Sequence, residues 1–103
     1  MTLGDWDLAV RGRIARIDRE DLDKSGRHPK YMLSFVIDPE EPPALPEGAL
    51  LPGELAVRIK GLDLPRLTKD ELAAGDVVEL TARANGPRPT TLRLTAIRRV
   101  GRG

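Results

Sequence analysis

The chain of 103 residues carries 17 Lys and Arg against 16 Asp and Glu, with 40% apolar residues, 3% aromatics and no cysteine. That length suits one core and one domain over residues 1–103, and the missing cysteines exclude a disulfide framework, a thiolate zinc site and a cysteine nucleophile together. No run approaches the ~18 to 20 unbroken apolar residues of a membrane helix, and Met1-Thr2-Leu3-Gly4-Asp5 lacks the basic-then-apolar layout of a signal peptide, so a soluble cytoplasmic protein without membrane contact is expected.

Leu8, Val10, Gly12 and Ile14 alternate with Ala9, Arg11, Arg13 and Ala15, the period-two signature of a strand buried on one face. Strand one is expected from about Asp7 to Ile17. Gly12 falls where an inward side chain belongs, which points to a bulge or bend that lets one long strand serve two sides of a barrel. Asp18 to Lys30, polar and holding Ser25-Gly26 and His28-Pro29, reads as a loop. Strand two follows at Tyr31 to Ile37, with Leu33, Phe35 and Ile37 on one face and Met32, Ser34 and Val36 on the other. Asp38 to Gly53 holds five prolines and no basic residue, which suits an ordered but irregular crossing loop. Strand three spans Glu54 to Lys60, with Leu55, Val57 and Ile59 inward and Ala56, Arg58 and Lys60 outward. Thr68-Lys69-Asp70-Glu71 then matches a capping box, and Leu72-Ala73-Ala74 before Gly75 predicts about two turns of helix with a glycine stop. Asp76 to Ala84 is strand four, Asn85-Gly86-Pro87-Arg88-Pro89 a turn, and Thr90 to Val100 strand five.

Five strands, the first long and carrying a central glycine, with one short helix between the third and fourth, follow the order of a small closed Greek-key barrel. Three passages carry a family likeness: Val10-Arg11-Gly12-Arg13-Ile14, the run Leu72-Ala73-Ala74-Gly75-Asp76-Val77-Val78-Glu79-Leu80, and Leu92-Arg93-Leu94-Thr95-Ala96-Ile97. On these the chain resembles the OB-fold of nucleic-acid-binding proteins from Trp6 to Val100. The resemblance implies an all-β fold, a five-stranded Greek-key OB-fold barrel with one short helix between strands three and four. An SH3-like barrel also has five short strands, and the helix before strand four favours the OB-fold.

Enzymatic chemistry finds little to work with. Asp21-Leu22-Asp23-Lys24-Ser25-Gly26 imitates the first half of a calcium loop, but counting on to the bidentate position reaches Met32, whose thioether cannot replace a glutamate. His28 is the sole imidazole, no nucleophile-elbow sequence accompanies Ser25 or Ser34, and phosphate-cradling glycine loops are absent. No enzyme activity, cofactor or metal is expected.

The remaining constellation is basic. Residues 1–37 hold 7 basic and 6 acidic side chains, residues 38–54 hold 5 acidic and none basic, and residues 55–103 hold 10 basic and 5 acidic. Alternation turns Arg13 outward on strand one, Arg58 and Lys60 on strand three and Arg83 on strand four, while Lys30 and Arg88 flank loop mouths. The resemblance places Arg58, Lys60, Lys30, Tyr31 and Arg88 around one groove, where cations track phosphates and Tyr31 offers a stacking face. Phe35 reads as core and Trp6 as a barrel plug. The expected function is non-enzymatic binding of single-stranded nucleic acid, DNA ahead of RNA, through Arg13, Lys30, Tyr31, Arg58, Lys60, Arg83 and Arg88. The alternative is a protein-interaction module that docks a protein partner without touching nucleic acid.

Overall fold

Alternation over the first twenty residues builds the strand that organises the molecule. In a computed structural model that describes residues 3–23 and 30–102, β1 (Asp5–Asp21) buries Trp6, Leu8, Val10, Gly12 and Ile14 and exposes the residues between them. Its first half pairs antiparallel with β4 (Val77–Asn85), from Asp5↔Asn85 to Arg13↔Val77, and its second half with β2 (Tyr31–Pro39), from Gly12↔Pro39 to Asp21↔Tyr31. The strand runs four residues beyond the expected end at Ile17, because Asp18, Arg19, Glu20 and Asp21 all take partners on β2. His28 and the Lys24-Ser25-Gly26 half of the calcium-like run lie outside the described residues, while Asp21 of that run is the last residue of β1.

Gly12 belongs to both ladders. A Cβ there would collide with the Asp38 carbonyl oxygen and stand 2.8 Å from Pro39 Cα and 2.9 Å from Ile37 Cγ2. Two of these are backbone atoms that cannot swing aside, so the close approach of β2 requires glycine. The bulge itself falls slightly later, between Ile14 and Arg16. Gly12→Ala is expected to cost about 1–3 kcal/mol by overpacking, read as a lower denaturant midpoint; an unchanged midpoint would show that the two ladders do not meet at this residue.

β3 (Ala56–Lys60) pairs antiparallel with β2, and β5 (Leu92–Gly101) pairs antiparallel with β4. β3 and β5 meet in parallel over Val57↔Leu92 and Arg58↔Arg93. Among the described residues these five strands close into a ring in the order β1-β2-β3-β5-β4. Phe35, Leu8, Ile14, Leu92, Val57 and Val78 are the largest of the side chains buried completely in its interior. Leu33 shares their face but is only partly buried, at the rim of this core. Trp6 is buried, and its indole N–H donates to the Gly86 carbonyl at 2.8 Å, which gives the polar edge of a plugging side chain its partner.

The helix lies between β3 and β4 as expected, but not where the capping box predicts it. α1 (Leu64–Leu67) is a single turn with Pro65 in its first turn, a position that proline tolerates because the missing N–H has no helical partner there. Residues 68–75 are not helical. The oxygens of the expected cap are used otherwise: Thr68 Oγ1 closes a turn by accepting from the Asp70 N–H, a local bond that competes with helix formation, and Asp70 Oδ2 accepts from the Arg99 N–H on β5. Gly75, at φ +96, stops a turn rather than a helix, and donates its N–H to the Ile14 carbonyl at 2.7 Å. Buried Asp76 accepts the Ala73 N–H on Oδ2 and so fixes the entry into β4. No helix among the described residues is long and apolar enough to cross a membrane.

Candidate functional site

The strand registers bring three arginines abreast on the outside of the ring. Arg58 on β3 is opposite Arg93 on β5, and Arg93 is opposite Arg83 on β4. With neighbouring strands about 4.8 Å apart, the belt spans roughly 10 Å. The same row continues to Ser34 and Asp18 on one side and to Asp7 on the other, so an acidic residue bounds it at each end. Like charges directly opposite one another oppose sheet pairing. Carboxylates relieve the outer two: Glu20 contacts Arg58 at 3.2 Å and Asp7 contacts Arg83 at 3.3 Å. Arg93, in the middle and exposed, has no carboxylate within ion-pair distance among the described residues, and neither does Lys60.

Arg58, Lys60 and Arg93 also line one groove of ≈ 410 Å³ with Met32, Leu67 and Leu94. A larger hollow of ≈ 490 Å³ runs over Ala9, Thr81 and Ala96. Its cations are already engaged, because Glu79 accepts from Arg11 on one oxygen and from Arg98 on the other, while Arg11 also meets Glu40 at 3.3 Å. Those contacts, the Arg98 hydrogen bond first, hold the Glu79 carboxyl below its ordinary range. Hydrogen bonds to Glu54 and Asp18 likewise raise Arg16 above its ordinary value. Arginines so occupied have less to offer a further anion than Arg93 or Lys60.

Of the residues expected around one groove, Arg58 and Lys60 are together, and Arg83 joins them through Arg93. Lys30 is exposed just before β2, at the end of the face where β3 finishes, and Arg88 is exposed in the turn that leads to the start of β5. These two therefore stand at opposite ends of the barrel. Arg13 is on β1, which neighbours neither β3 nor β5, and donates to the Gly75 carbonyl at 2.8 Å. Tyr31 shares the face of Leu33, Phe35 and Ile37, not that of Met32 and Ser34. Its ring lies over Gly61, where any Cβ would strike it, and the Arg19 guanidinium sits 4.0 Å from its centroid. It is a rim residue of the barrel end.

The proline-rich loop between β2 and β3 is ordered by its own apolar residues, with Ala49 and Leu55 in the core. The Leu50 N–H donates to the Pro87 carbonyl at 2.8 Å, so the loop abuts the β4–β5 turn. Glu40 and Glu54 are paired with Arg11 and Arg16, which removes part of its negative field. Comparison with protein-family models, curated proteins and solved structures finds no match for the chain.

Proposed function

We propose that this chain is an OB-fold module that binds single-stranded nucleic acid, DNA in preference to RNA, through the outer surface of β3, β5 and β4. The reading is supported first by strand order. A five-stranded ring in which β3 and β5 run parallel, with a helix between β3 and β4, is the order expected of an OB-fold, whose outer face at strands two and three takes extended ligands and shares β3 with the belt. The observation that carries the function is the arginine belt: Arg58, Arg93 and Arg83 stand side by side, with Arg93 unrelieved by any carboxylate among the described residues. Bound phosphates would remove the repulsion that the sheet itself leaves in place.

The test is a salt titration of binding to a labelled strand of about 20 nucleotides, in which log affinity should fall linearly with log salt at about 0.7 per phosphate neutralised. Absence of salt-sensitive binding at low ionic strength would sink the reading. The protein-interaction alternative would then take its place, with Leu50 on the acidic loop, 58% exposed, as its first anchor.

A further inference from the structure

The groove beside the belt exists because β3 and β5 part company. Their ladder reaches Arg58↔Arg93, after which β3 turns at Gly61 towards α1 while β5 continues along β4. The gap has an aliphatic floor of the half-buried Met32 and Leu67, with the core residue Leu94 beneath, and a cationic rim of Arg58, Lys60 and Arg93. Its backbone contributes too. The Gly61 N–H donates to the Tyr31 carbonyl, so alternation directs the odd-numbered residues of β3 to β2 and turns the Lys60 N–H the other way, past the last residue paired with β5. Asp63, which faces Arg66 at 3.7 Å, adds a carboxylate to the lining.

We propose that this cleft takes one unstacked base of the bound strand, flat against the half-buried Met32 and Leu67, with the flanking phosphates on Arg58 and Arg93. The inference rests on the single-strand reading and adds to it the means of holding a base. Aromatic stacking is the usual means, but Trp6 and Phe35 are buried in the core and Tyr31 lies at the barrel end. An aliphatic slot replaces it here. A thioether beside a leucine offers polarisable, water-excluding contact to a ring face. The Lys60 N–H and the Asp63 carboxylate supply one donor and one acceptor for the polar edge of the base.

The experiment compares a thymidine homopolymer of about 20 nucleotides with an abasic strand of the same length and charge. Wild-type protein should bind the abasic strand about tenfold more weakly, with an equal salt slope. Leu67→Gln and, independently of α1, Met32→Gln should shrink that difference while leaving the slope intact. Equal affinities for the two strands, with salt-sensitive binding preserved, would overturn the cleft and leave the phosphate belt standing. A preference for bases that survives both substitutions would also overturn it, by placing the base contact elsewhere. Absence of salt-sensitive binding to either strand would remove the single-strand reading and the cleft together.

Discussion

Phe35→Ala is expected to destabilise the protein by about 3–5 kcal/mol, enough to bring a domain of this size close to unfolding. Phe35 is the largest fully buried side chain, 1% exposed, and it lies on β2 between the β1 and β3 ladders, opposite Ile17 and Val57. Its truncation would leave a void that close-packed strands on both sides can collapse around only in part. Chemical denaturation followed by the fluorescence of Trp6 gives the measurement, with Val36→Ala, on the other face of the same strand, as the milder comparison. A melting curve like that of wild type would mean that β2 is set in the wrong register, and with it the outward placement of Arg58.

The second large effect concerns binding. Replacing Arg58, Arg83 and Arg93 together with Gln should flatten the slope of log affinity against log salt by up to about 2, at roughly 0.7 for each lost phosphate contact and with Arg93, which serves no carboxylate among the described residues, the first contributor, and should weaken all base sequences alike. A triple substitution of Arg11, Arg98 and Arg102 changes net charge by the same amount but leaves the row of Arg58, Arg93 and Arg83 intact, and should alter the slope far less. Tyr31→Ala should lower stability through the lost packing on Gly61 and leave the slope as it was. Equal loss of slope in the two triple variants would reduce the belt to one part of a diffuse positive field.

Much of this was legible in the order of the residues. Apolar side chains recur at every second position in Trp6 to Ile14, Leu55 to Ile59 and Val78 to Ala84, and burial follows that alternation closely. Period two also places Tyr31: its odd number sets it with Phe35, not with Met32, and so away from the outward face that carries Arg58. Arg93 was equally open to reading, as the outward residue between Leu92 and Leu94. The helix failed for a different reason. Thr68-Lys69-Asp70-Glu71 carries the same residue types whether its oxygens cap a helix or close a turn, and only the neighbouring backbone of β5, through the Arg99 N–H, decides between them. The Arg58↔Arg93 pairing was out of reach for the same reason. No turn joins β3 to β5, so no local residue sets their relative register.

The double service of β1 bears on how the chain reaches its fold. Its pairing with β2 closes a hairpin between segments that are near in sequence, whereas its pairing with β4 joins Asp5 to Asn85, 80 positions away. Loop-closure entropy makes the first contact early and the second late. The β1–β2–β3 meander and the β4–β5 hairpin can each assemble on their own, and the ring is completed only when β4 docks on β1 and β5 on β3. Between those events the outward edges of β1 and β3 carry free backbone donors and acceptors, the period in which a second chain could pair with them. Charge marks that edge of β1 with Asp5, Asp7, Arg11 and Arg13, and charged side chains on an open edge discourage pairing with another copy while the barrel is still incomplete.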